Sequence, residues 1–71
     1  MRNQYKGICY RCAKVVEPGA GHFERVSDRQ RRMLSDVYLK GRDWVTQHAD
    51  CAIQYRGTTH VHESFRNQKN D

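Results

Sequence analysis

The segments Gly7-Ile8-Cys9-Tyr10-Arg11-Cys12-Ala13 and Trp44-Val45-Thr46-Gln47-His48-Ala49-Asp50-Cys51 hold all three cysteines of this 71-residue chain. The first contains a Cys-x2-Cys pair and the second a His-x2-Cys pair, with 35 residues between them. Cys9, Cys12, His48 and Cys51 together make a Cys3His set, one of the usual structural zinc combinations. Each pair needs a different backbone. A tight turn swings Cys9 and Cys12 toward one point, and Gly7 and Ala13 are small enough not to crowd it. Positions i and i+3 share a helix face, so His48 and Cys51 are expected in the first turn of a helix that starts near Thr46. A zinc ion held by all four joins a turn to a helix N-terminus.

Composition explains why such a staple is needed. Leu, Ile, Val and Phe make up 12 of 71 residues, below the roughly 20% under which a charged chain reads as disordered. Mean hydropathy is −1.03. So short and polar a chain cannot bury enough apolar area to offset its backbone entropy unaided. An odd number of cysteines is a poor disulfide framework, and Met1–Ile8 does not read as a secretory signal. The expected compartment is the cytoplasm, where thiols stay reduced. No apolar run approaches the roughly 20 residues of a membrane span. Two other uses of Cys-x2-Cys fit less well. A c-type haem site needs His directly after the second Cys, where Ala13 stands, and a thioredoxin-like motif needs a βαβ scaffold.

Lys14-Val15-Val16-Glu17 and His22-Phe23-Glu24-Arg25-Val26 read as strands. Pro18-Gly19-Ala20-Gly21 reads as the turn between them, with Pro suited to the second and Gly to the third position of a type II turn. A β-hairpin directly after the Cys-x2-Cys turn is expected. In Ser27–Gly41, Met33, Leu34, Val37 and Tyr38 form a helical stripe between a Ser27 or Asp28 cap and a Gly41 stop. The alternative for this insert is a long mobile loop. Arg42–Val45 reads as a short strand. Thr46 is the candidate N-cap of a helix over Gln47–Arg56, with Asp50 placed favourably for its dipole. Ala49, Ala52, Ile53 and Trp44 are the expected core contributors. The expected organisation is one small α+β zinc-stabilised domain over residues 1–57, with a basic insert at 27–41. Residues 58–71 are expected as a polar, flexible tail with Val61 and Phe65 as its apolar anchors.

A Cys-x2-Cys knuckle, a hairpin, and a helix with two further ligands in its first turn resembles a treble-clef zinc finger. The Cys-Cys-His-Cys order with a long spacer is similar to the fingers of the poly(ADP-ribose) polymerase type and to the first half of a LIM domain. The former resemblance implies DNA binding, the latter protein binding. The chain departs from the LIM pattern in that no second Cys/His set follows Cys51, with His60 and His62 as the nearest candidates.

Thirteen Lys and Arg against eight Asp and Glu give a net charge of +5. Arg25, Arg29, Arg31, Arg32, Lys40 and Arg42 concentrate that excess between the expected hairpin and the second ligand pair. With Arg11 and Lys14 at the knuckle they form a candidate phosphate-contacting patch, and Tyr10 and Tyr38 are candidates for stacking on unpaired bases. The expected function is a non-catalytic zinc-binding module that binds DNA or RNA through its basic insert, with neither a membrane nor a small-molecule substrate as partner. The alternative is an adaptor or inhibitor that binds a larger protein machine. A nuclease of the HNH type, invited by His60-Val61-His62 and Asn67, stands last. That pattern places its first His on a strand before the helix, not after it.

Overall fold

Ile8 and Val15, both β-branched, face each other across the Cys-x2-Cys turn, and their backbones pair. The structure, a computed structural model, describes residues 1–67. Strands β1 (Gly7–Ile8) and β2 (Val15–Val16) form one antiparallel hairpin around the turn. Strands β3 (Gly21–Arg25) and β4 (Trp44–His48) form a second, in register from Gly21 opposite His48 to Arg25 opposite Trp44. Helices α1 (Asp28–Met33) and α2 (Asp36–Leu39) lie in the connection between β3 and β4. Helix α3 (Ala49–Gln54) follows β4 without a loop, and a 3₁₀ turn spans Glu63–Phe65. The described residues thus form a small α+β fold with two antiparallel hairpins and three helices.

The strand pairing differs from the expected hairpin. The turn itself forms, with the Ala20 N–H donating to the Glu17 carbonyl at 2.9 Å and Gly19 at φ +81°. Its flanking strands do not pair with each other, because the N-terminal residues hold the free edge of β3. The Phe23 N–H donates to the Met1 carbonyl at 2.7 Å, and the Asn3 N–H to the Gly21 carbonyl at 3.2 Å. The buried Asn3 side chain completes the clasp, accepting the Gly21 N–H and donating to the carbonyls of Tyr5 and Glu17. Gly21 leaves no room for a side chain, since a Cβ there would lie 2.1 Å from the Gln47 carbonyl oxygen.

The insert is neither one helix nor an open loop. Ser27 caps α1 by accepting the Gln30 N–H. The helix stops at Leu34, whose extended backbone bridges to Arg66. Ser35 then leads into α2, which ends at Lys40 in the left-handed region, followed by Gly41 at φ +76°. This break drops Leu34 and Leu39 into the core beside Tyr10, Val26, Val45 and Val61, with Met33, Tyr38 and Phe65 at its margin. The insert therefore supplies the core that α3 was expected to supply. Trp44 and Ile53 are exposed, and Ala49 and Ala52 only half-buried.

The segment expected as a flexible tail packs on this core as far as it is described. Val61 is buried. The His62 N–H donates to the Tyr10 carbonyl, the Ser35 N–H to that of Phe65, and the Asn67 N–H to that of Met33, each at 2.8 Å. Residues 68–71 lie outside the described residues. No helix among the described residues is long and apolar enough to cross a membrane.

Candidate metal centre

Two short backbone bonds shape the knuckle. The Cys9 N–H donates to the Lys14 carbonyl at 2.9 Å, and the Ala13 N–H to that of Cys9 at 2.8 Å. Ala13 sits at φ +66°, a left-handed position that reverses the chain behind Cys12. The knuckle docks on β4 through a parallel bridge between Cys9 and Thr46, with the Tyr10 N–H donating to the Thr46 carbonyl at 3.0 Å. That docking carries Cys9 and Cys12 to the end of β4, where His48 is both its last residue and the N-cap of α3. The expected cap, Thr46, lies two residues back inside the strand, so the helix starts later than expected. Cys51 follows His48 by three positions, in the first turn of α3.

The structure brings all four expected ligands together. One donor atom from each of Cys9, Cys12, His48 and Cys51 lies within 4.8 Å of the others. His48 Nδ1 is 3.3 Å from Cys12 Sγ and 3.9 Å from Cys51 Sγ. Tetrahedral bonds of about 2.3 Å to sulfur and about 2.0–2.1 Å to nitrogen require S···N separations of about 3.5 Å, which these distances bracket.

The imidazole is oriented for the task. His48 Nε2 lies 2.9 Å from the Val15 carbonyl. A carbonyl only accepts, so Nε2 carries the proton and Nδ1 turns its lone pair to the sulfurs. The His48 N–H in turn approaches Cys9 Sγ at 3.5 Å. Burial, together with the charges of Cys9 and Cys12, pushes the Cys51 thiol up to about 12. A divalent cation beside Cys51 reverses that balance and favours its thiolate. The donor set fits a metal ion such as zinc.

The expected basic patch is divided. Arg11 is buried, not presented. Its Nε donates to Gln47 Oε1 at 3.1 Å and its Nη1 to the His60 carbonyl at 2.8 Å, with the guanidinium over the Tyr10 ring at 4.8 Å. Arg31 is paired with Asp43, which Arg25 approaches at 3.9 Å. Lys14, Arg29, Arg32, Lys40 and Arg42 are exposed. Tyr10 and Tyr38, expected to stack on bases, belong to the core and its margin. His60 stacks on Tyr55, and His62 Nδ1 accepts the Ser64 N–H. Among the described residues no second group of three Cys, His, Asp or Glu side chains converges.

Two contributors to the centre escaped the sequence reading. The Val15 carbonyl is main chain and carries no residue signature. The Tyr38 hydroxyl, which accepts the Thr46 N–H and so holds β4 at the knuckle, was hidden inside an apolar stripe. Comparison with known protein families, with curated proteins and with solved structures finds no match to this chain.

Proposed function

We propose that the chain is a zinc-folded, treble-clef-like module whose task is to bind nucleic acid without catalysis. The observation that carries the metal reading is the Cys3His quartet with the His48 lone pair turned toward the sulfurs. Four protein donors fill a tetrahedral shell and leave no open position for a reacting water, the mark of a structural rather than a catalytic site. Cys9, Cys12, His48 and Cys51 would hold the ion, which supplies cohesion between knuckle and α3 in place of a large core. The order of knuckle, β3–β4 hairpin and ligand-bearing helix supports the treble-clef reading. Reduced thiolates suit the cytoplasm.

The nucleic-acid reading rests on charge. Among the described residues Lys14, Arg29, Arg32, Lys40 and Arg42 have exposed side chains without a carboxylate partner. Unpaired surface cations in excess are what phosphate recruits. The test is titration of the zinc-loaded protein with labelled nucleic acid at several salt concentrations. Affinity is expected to fall with a log–log slope near one per phosphate contact, and Arg29→Ala with Arg32→Ala is expected to flatten that slope at unchanged zinc content. Absence of binding at low salt overturns the reading in favour of a protein partner.

A further inference from the structure

We propose that the groove between the N-terminal segment, the β3–β4 face and α2 binds an unpaired stretch of nucleic acid by base stacking. The proposal rests on the nucleic-acid reading above and names the form of substrate. Phe23 and Trp44 are diagonal neighbours on one face of the β3–β4 ladder. Their rings stack on each other at 5.0 Å with 14° between planes, and Phe23 and Trp44 are 37% and 40% exposed, a two-ring platform that a base can extend. Tyr5 also lines the groove, 81% exposed. The space between measures about 610 Å³.

A small, polar protein that leaves three exposed aromatic rings on one groove signals an occupant. The rim gives its charge. Lys6, Lys40 and Arg42 line the groove, and among the described residues no Asp or Glu does. An aromatic platform bordered by cations matches bases and the phosphates that join them. A duplex hides its base faces within the stack, so only an unpaired strand can use the platform. Lys40, the left-handed C-cap of α2, places its cation at the end of that helix beside the groove.

The chain has a single tryptophan, Trp44, so its fluorescence reports on this groove alone. Zinc-loaded protein is titrated with a short oligothymidylate, with a duplex of equal length, and with an acidic peptide. The expected result is quenching of Trp44 by the oligothymidylate and much less by the duplex. Tyr5→Ala and, separately, Trp44→Leu, both read by the anisotropy of labelled oligothymidylate, are each expected to weaken its binding about five- to a hundredfold, with duplex affinity within about twofold and zinc content intact. Tyr5 is largely exposed, so its variant stays informative if Trp44→Leu unfolds. Binding of both nucleic acids without quenching, or affinities unmoved by Tyr5→Ala, overturns the groove and leaves the basic-surface reading standing. Quenching by the acidic peptide alone overturns it in favour of a protein ligand. No binding by either nucleic acid overturns both readings together.

Discussion

The phenol of Tyr38 closes on the main chain of Thr46. It accepts the Thr46 N–H at 3.1 Å and lies 2.6 Å from the Ile8 carbonyl, to which it donates. One hydroxyl from the insert thus ties β1 to β4 at the level where the knuckle docks. Tyr38→Phe keeps the ring contact with Phe65 at 4.7 Å but leaves a sheltered amide and a carbonyl unpaired. We expect a loss of about 1–3 kcal/mol, measured by denaturant unfolding of zinc-saturated protein, with one zinc per chain retained. A loss under a few tenths of a kcal/mol would mean that water replaces the phenol.

Metal removal should unfold the chain. Structural zinc binding is linked to folding with apparent energies of about 10–16 kcal/mol, more than this core can replace. Complete chelation is expected to collapse the dispersion of the amide spectrum. Cys51→Ala should do the same, whereas His60→Ala and His62→Ala should keep the metal. Long-range ¹H–¹⁵N spectra of the imidazole read the His48 tautomer, expected with a proton on Nε2 and the metal on Nδ1. A dispersed spectrum after full chelation would defeat the metal reading, and a metal-bound Nε2 would defeat the role given to the Val15 carbonyl.

Arg11 should matter to folding and not to ligand binding. Its guanidinium satisfies the Gln47 side chain and the His60 carbonyl from a buried position, so Arg11→Ala removes charge-assisted bonds and packing together. We expect a destabilisation of about 2–4 kcal/mol. Under metal-saturated, folded conditions the salt slope for nucleic acid should match wild type. A slope reduced by about one unit would return Arg11 to the phosphate-contacting set.

Alkaline stability carries a signature of the buried phenols. Burial pushes Tyr10 up to about 12 and moves Tyr38 in the same direction. In the unfolded chain both ionise near the ordinary phenol value of about 10. The contribution of each is therefore complete below pH about 10 and is lost as pH rises through its raised value, about 12 for Tyr10. Part of the tyrosinate absorbance should appear only together with loss of the circular dichroism of the fold. Full ionisation of Tyr10 near pH 10 with the fold intact would contradict its burial.

The ligand set was legible because zinc chemistry fixes both residue type and spacing, and Cys9, Cys12, His48 and Cys51 satisfy both without reference to the rest of the chain. The type II turn at Pro18-Gly19 was legible for the same local reason. The pairing of β3 was not. Its free edge is taken by Met1–Asn3, and nothing in Met-Arg-Asn announces a strand partner; the clasp arises from one buried amide side chain with several backbone partners. The core was misread because the apolar stripe of the insert suits one helix, whereas Leu34 leaves the helix to pair with Arg66. That pairing joins residues far apart in sequence, and no local pattern encodes it. Trp44 looked like core by its size, yet the register with Arg25 turns it to the groove face beside Phe23.

The bare α-carbon of Gly21 governs more than its own strand. It stands opposite His48, and the Gln47 carbonyl occupies the volume a methyl group would need. Even alanine there wedges β3 from β4 at the one point where the imidazole must meet three sulfurs. Mutational tolerance along the hairpin should therefore be lopsided. The Arg25 side chain is open to solvent and tolerates replacement, while the Gly21 position is closed to every side chain. Its first symptom on substitution would be a weakened grip on the ion, ahead of any loss of the sheet.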